Sequence, residues 1–220
     1  MASLRRLMLQ CQYSSLLPPD VLYFALKKSE CCVIEVVMNY ATIKYCDIAN
    51  GPGVRTSLFV SGCTHHCPNC FNSVAWDFAY GLPFTGQTEQ QIIDSMTPFI
   101  SGLSLLGGEP MEPENQPALL GFLHRFLAAC PGKTVWCYTG YTWEELCGDQ
   151  LSRCRTDITT SLLECIDVLV DGEYIEALHD ITLRFRGSSN QRILDVRCSL
   201  EASAPVLWQD DPLYVRGRLC

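Results

Sequence analysis

The stretch that most constrains this chain is Cys63-Thr-His-His-Cys67-Pro-Asn-Cys70, three thiols within eight residues, placed directly after the apolar run Ser57-Leu-Phe-Val-Ser61. Thiolates are soft ligands that select iron–sulfur clusters, zinc or copper(I). A cubane cluster has four irons, so three Cys leave one iron without a protein ligand, open to bind and activate a small molecule. The competing reading is a structural zinc site in which His65 or His66 completes a Cys3His set. Such sites draw ligands from two separated pairs, and no second Cys-x-x-Cys or His-x3-His follows in this sequence. Both histidines also sit inside the tight loop, where sharing one ion with all three thiols is geometrically difficult. The loop therefore reads as a candidate iron–sulfur site with Cys63, Cys67 and Cys70 as ligands.

The remaining eleven of the 14 cysteines show no metal spacing. A disulfide scaffold is the other explanation for so many, but it belongs to short secreted chains. This chain has 220 residues, and its opening Met1-Ala-Ser-Leu-Arg-Arg-Leu-Met-Leu carries only three apolar residues after the arginines. A secretory apolar region needs about 7–15. A reducing, cytoplasmic compartment is expected, with most other cysteines packed as small hydrophobes. A net charge of −8 argues against a nucleic-acid or membrane-surface partner, which would call for a basic face. The apolar run around Cys31–Met38 is interrupted by Glu35 and is far short of the roughly 18 residues of a membrane span.

Strands are expected at residues 43–47, 55–61, 101–106, 134–138, 166–170 and 192–196, alternating with helical segments. One helix is expected to start at Thr88, whose spacing to Gln91 is that of a capping box, and another past Asn115 with Pro117 in its first turn. Thr142 with Glu145 marks a third start. Alternation of this kind predicts a parallel α/β sheet. Each notable motif follows a strand, and in such folds sites gather at the C-terminal strand edge. With about five or six mostly parallel strands, a partial (β/α) barrel is expected rather than a closed one. The domain is expected over residues 38–196. Residues 1–37 are either an extension or sequence upstream of a start at Met38, and residues 197–220 read as a loose tail.

The Cys loop resembles the radical S-adenosylmethionine (SAM) superfamily. With Asn50-Gly-Pro-Gly53, Gly107-Gly-Glu-Pro110, Tyr138-Thr-Gly-Tyr141, Val170-Asp-Gly-Glu173 and Arg186-Gly-Ser-Ser-Asn-Gln-Arg192 in this order, residues 38–196 are similar to the activating proteins of anaerobic ribonucleoside-triphosphate reductase. The resemblance implies a [4Fe-4S] cluster and SAM as cofactors. It implies reductive SAM cleavage to methionine and a 5′-deoxyadenosyl radical, then hydrogen removal from one glycine of the large reductase subunit. A low-potential donor such as flavodoxin or ferredoxin would supply the electron. Gly107, Gly108 and Glu109 then correspond to the SAM amino-group site, the glycines admitting the ligand to the backbone and Glu109 accepting from the ammonium. On that view a branched side chain at Gly108 spares the cluster and weakens SAM binding. Asn69 and Phe71 flank the third cysteine where the family's adenine lies. The wider superfamily often has an aromatic residue before that cysteine, where this chain has Asn69. Asn190, with Ser188, Ser189 and Arg192, suits the SAM carboxylate or ribose, or equally a partner contact. Asp47, Asn50 and Arg55 either orient the loop or stabilise a turn. The alternatives are another glycyl-radical activase, such as that of pyruvate formate-lyase, or a non-catalytic iron–sulfur carrier or zinc module.

Overall fold

The computed structural model describes residues 38–148 and 151–209. The expectations for residues 1–37 and for the end of the tail lie outside them. Strand β2 (Val54–Val60) is buried at every residue after Val54, the pattern of a strand covered on both faces. Around it are β1 (Asn39–Asp47), β3 (Leu82–Pro83), β4 (Ile100–Gly107), β5 (Thr134–Tyr138), β6 (Val168–Asp171) and β7 (Arg192–Asp195). They form one seven-stranded sheet in the order β3-β1-β2-β4-β5-β6-β7. Pairing is parallel from β2 through β4 and β5 to β6, whereas β1, β3 and β7 join antiparallel. The architecture is thus mixed α/β, parallel in its middle, with one strand more than expected. The antiparallel β1–β2 pair has a local cause. Parallel neighbours need a crossover of a dozen or more residues, and only the short turn at 48–53 separates β1 from β2.

Helices α1 (Gly86–Asp94) and α2 (Gln116–Ala129) cover one face of the sheet, with the shorter α3 (Trp143–Cys147) and α4 (Thr159–Leu163). Alternate strand residues Leu58, Leu103, Leu105, Val135 and Leu169 meet Ile92 of α1 and Leu119, Phe122, Leu123 and Phe126 of α2 in the main core. Cys130, Cys137, Cys154 and Cys165 are buried within it. Removing a fully buried ring such as Phe122 costs about 3–5 kcal/mol. The start of α1 differs from expectation: Thr85 is its N-cap, accepting from Thr88 N–H, and Thr88 lies inside the helix. Thr142 and Glu145 do form a capping box on α3. The stretch after Val196 is not loose within the described residues. It forms α5 (Val196–Ala202), and Trp208 then packs edge-on against Trp136 at 5.1 Å. No helix among the described residues is long and apolar enough to cross a membrane.

The second face of the sheet carries Trp136, Val168 and Val170 under Tyr138, Phe185 and Trp208, and it also holds Arg55, fully buried. Its guanidinium donates to Ser104 Oγ, Thr134 Oγ1 and the carbonyls of Leu103 and Thr134, tying β2 to β4 and β5. Burial pushes its pKa down to about 10, which leaves it protonated at neutral pH. Arg55 sits at the opposite end of β2 from Cys63, so it braces the sheet and does not orient the loop. Asp47 accepts from Ala49 N–H and from Asn50 Nδ2, an Asx turn of the ordinary kind.

Candidate functional site

Strand β2 delivers the Cys loop at its C-terminal end, and three short bonds hold the loop's entry. Ser61 N–H donates to Asn39 O, Gly62 N–H to Ala75 O and Cys63 N–H to Trp76 O, at 2.8–3.1 Å. Gly62 has φ +93° and a Cβ there would lie 2.2 Å from the Phe78 ring, so only glycine fits. Inside the loop His66 and Asn69 both take left-handed φ, at 53° and 58°. This reverses the backbone twice, and it brings Cys63, Cys67 and Cys70 onto the wall of one cavity of about 450 Å³. Cys63 is buried, and Cys67 and Cys70 are half-buried. Burial pushes the Cys63 thiol up to about 11; burial and the nearby Glu173 carboxylate push Cys67 up to about 12. Both become thiolates only against a metal charge, so binding there releases protons.

His65 lines the same cavity as the thiols, and both histidine rings pack on aromatic neighbours. His65 stacks on Tyr141 at 4.4 Å with Nε2 3.4 Å from Glu109 Oε2, a charge contact without hydrogen-bond geometry. His66 stacks on Trp76 at 4.6 Å. A Cys3His zinc set is therefore not what the loop presents. Among the described residues no three His, Cys, Asp or Glu side chains converge on a single ion. A cubane asks for no such convergence, because each thiolate binds a different iron. Three thiols facing one cavity fit that group.

The second wall is the turn after β4. Gly107 has φ +111°, and a Cβ on it would lie 2.6 Å from Phe59 Cα. A Cβ on Gly108 would lie 2.5 Å from Gly62 O and 2.9 Å from Ala75 O. The close approach that Gly108 permits is thus to the Cys loop itself, and the backbone confirms it. Gly108 N–H donates to Val60 O and Glu109 N–H to Gly62 O, both at 2.7 Å. The Glu109 carboxylate is buried in the cavity wall, accepting from Met111 N–H at 2.8 Å and Gly140 N–H at 2.7 Å. Carboxylate oxygens keep two acceptor sites each, so one per oxygen is left after these bonds.

Asn69 and Phe71 also line the cavity, Phe71 with 83 % of its surface exposed. Asn190 is exposed and outside the lining; its Nδ2 donates to Glu173 O. Its neighbour Gln191 lines the cavity instead, held by Gly172 O and by the N–H groups of Gly187 and Ser188. Arg192 bridges buried Asp171 and Glu144, and Asp171 also accepts from Trp143 N–H. The Val170–Glu173 and Arg186–Arg192 motifs therefore fasten β6, β7 and α3 beneath the site. Two residues that motif reading did not single out are Glu112 and Asn115, both buried. Glu112 accepts from Thr64, and Asn115 Nδ2 donates to Ser61 O and Glu109 O. Their partners lie 48 and 54 residues away, for which the sequence has no signal.

Residues 49–194 match the family described as a 4Fe-4S single cluster domain. The chain is 42% identical over 163 residues to the anaerobic ribonucleoside-triphosphate reductase-activating protein of Escherichia coli K12, covering 73% of this chain and all of that one. The protein of the same name from Pasteurella multocida is 43% identical over 159 residues, covering 71% and 96% of the two chains. That of Enterobacteria phage T4 is 37% identical over 157 residues, covering 71% and 93%. With the three thiols and the turn of β4 on one cavity, this chain belongs to the family of anaerobic ribonucleoside-triphosphate reductase-activating proteins.

Proposed function

We propose that this protein activates an anaerobic ribonucleoside-triphosphate reductase by forming a glycyl radical on it, using SAM and a [4Fe-4S] cluster. The observation that carries this reading is the opening of the three thiols and the Gly-Gly-Glu-Pro turn onto one cavity. Its volume of about 450 Å³ falls in the range of small-molecule and cofactor sites. Cys63, Cys67 and Cys70 would hold the cluster, which when bound would supply the electron for reductive cleavage of SAM to methionine and a 5′-deoxyadenosyl radical. Glu109 offers its remaining acceptor sites to the ammonium. Phe71 and Asn69, on the cavity lining, would lie along the nucleoside, with Asn190 outside that lining. No general base is needed for hydrogen removal from a glycine.

The sheet runs from β3 to β7 without closing on itself, which suits an incomplete barrel of the radical SAM type. A cavity open on one side suits a substrate that is a loop of another protein. A low-potential donor such as flavodoxin or ferredoxin, in a reducing cytoplasm, would supply the electron.

The test is anaerobic reconstitution with iron and sulfide, then reduction with SAM and the reductase. Release of 5′-deoxyadenosine and a glycyl doublet in electron paramagnetic resonance are expected. SAM cleavage with a doublet only on pyruvate formate-lyase would replace the reductase as substrate. A full cluster with no SAM cleavage would leave an electron carrier.

A further inference from the structure

Behind the Cys loop lies a carboxylate that none of the proposed chemistry uses. Glu112 is 2% exposed. Its Oε1 accepts two hydrogen bonds from one residue, Thr64 N–H at 2.8 Å and Thr64 Oγ1 at 2.6 Å. Thr64 directly follows Cys63. Glu112 itself is fixed by its N–H to Glu109 O and by its carbonyl, which accepts from Asn115 and Gln116. A buried carboxylate that spends acceptor sites on a single loop residue needs a reason, since taking a charge out of water is costly unless it is well paired.

We infer that Glu112 is a positioning residue for the cluster: it clamps Thr64, sets the orientation of the Cys63 ligand, and places a negative charge beside the cluster. The inference rests on the reading that the loop holds an iron–sulfur cluster. Two consequences follow from the geometry. The clamp takes up the Thr64 N–H, which is then unable to hydrogen-bond to cluster sulfur. The carboxylate adds a second buried acidic side chain to Glu109 near Cys63, with the Arg153 cation, hydrogen-bonded to Tyr141 OH at 2.8 Å, close by. Both effects favour the oxidised cluster and lower its reduction potential, because cluster potentials follow local charge and hydrogen bonds to the sulfurs. A low potential is what a one-electron reduction of a sulfonium demands.

The experiment uses the full chain, reconstituted anaerobically, as wild type, Glu112→Gln, Glu112→Ala, Thr64→Val and the Glu112→Ala/Thr64→Val double variant. The readouts are the midpoint potential of the cluster by EPR-monitored titration and the rate of iron loss to a ferrous chelator. Gln keeps an acceptor for Thr64 but removes the charge, so it should raise the potential while iron loss stays near the wild-type rate. Ala should raise the potential and speed iron loss about tenfold, the scale of a lost hydrogen bond to a charged group. The double variant should lose iron no faster than Glu112→Ala, since the partner is already gone. A potential unchanged in both Glu112 variants overturns the inference, as does additivity of the Ala and Val effects. A wild-type chain that takes up no cluster overturns the functional reading and this inference together. A wild-type cluster with unaltered variants overturns this inference alone.

Discussion

Replacing Gly108 by alanine separates two accounts of the Gly-Gly turn. If the glycine is bare to admit a ligand, alanine weakens SAM binding and leaves the cluster intact. The structure places something else in that space: the added Cβ would lie 2.5 Å from Gly62 O and 2.9 Å from Ala75 O. Neither carbonyl is free to retreat. Gly62 O accepts from Glu109 N–H at 2.7 Å, and Ala75 O accepts from Gly62 N–H at 2.8 Å. Relief requires a backbone shift of roughly half an ångström or more in a close-packed interior. Overpacking of this kind costs about 1–3 kcal/mol, and weakening one of the two bonds adds about 1 kcal/mol. Lower chain entropy in the unfolded state returns about 0.4–1 kcal/mol. The net is a loss of about 1–3.6 kcal/mol. At about 2–4 °C per kcal/mol, the melting temperature should fall by roughly 2–14 °C. Gly86→Ala is the control, because nothing lies within 4 Å of its Cβ position and the residue opens α1; it should leave stability unchanged or raise it by about 0.5 kcal/mol. The assay is thermal unfolding of both variants, with iron content after reconstitution. Cys63 follows the displaced Gly62, so Gly108→Ala should also bind less iron. An unchanged melting temperature, a full cluster and weaker SAM binding would refute this reasoning and restore the ligand-approach account.

Alanine at Cys63, Cys67 or Cys70 should each abolish a stable cluster, because two thiolates do not hold a cubane. Cys137→Ala, which removes a fully buried core thiol on β5, should keep the iron and cost about 1 kcal/mol of stability; iron analysis and thermal unfolding check both. Arg55→Lys should destabilise by about 2–4 kcal/mol in denaturant unfolding. An ammonium does not reproduce the planar fork that reaches Ser104, Thr134 and Leu103 together, so buried acceptors are left unpaired. A loss under about 1 kcal/mol would mean that water or a repacked side chain replaces those bonds.

What the sequence made legible is what local chemistry determines. The Cys loop, the strand before it and the turn at Thr142 all announce themselves within a few residues. So do the central strands, short apolar runs bounded by Gly and Pro. The capping of α1 was misplaced because Thr85 and Thr88 sit three residues apart and each can cap; the Gln at 91 mimics the box, while the backbone turns at Thr85. Strand direction at the edges was not legible either. A hydrophobic run is the same string in both directions, and only the path of the connection decides how β1 and β7 pair. Residues 197–209 read as aperiodic because their partners are remote. Val206 O accepts from Asp195 N–H, and Trp208 finds Trp136, 72 positions earlier by number, across the sheet. The side-chain contacts of Glu112 and Asn115 are illegible for the same reason, since each bonds to a loop about 50 residues away.

These long-range anchors explain why the two halves of the site share one rigid wall. The segment from Gly108 to Gln116 touches every piece of it: Val60 and Gly62 through backbone N–H groups, Thr64 through Glu112, Ser61 through Asn115, and Gly140 through Glu109. The Cys loop and the turn after β4 are thus held at a set distance before any ligand arrives, which is how a site is oriented without ordering cost on binding. The opposite wall is built otherwise. Tyr174, His179 and Leu183 line it from a connection that carries Ile175, Leu178 and Ile181 at 42%, 41% and 88% exposure. Its bonds are mostly local, as between His179 and Gly187 or Asp180 and Thr182. Few buried contacts and exposed bonds mark a segment that opens at low cost. The 174–187 side is thus held mostly by its own residues, while the geometry at Cys63 and Glu109 is set by bonds from the turn of β4.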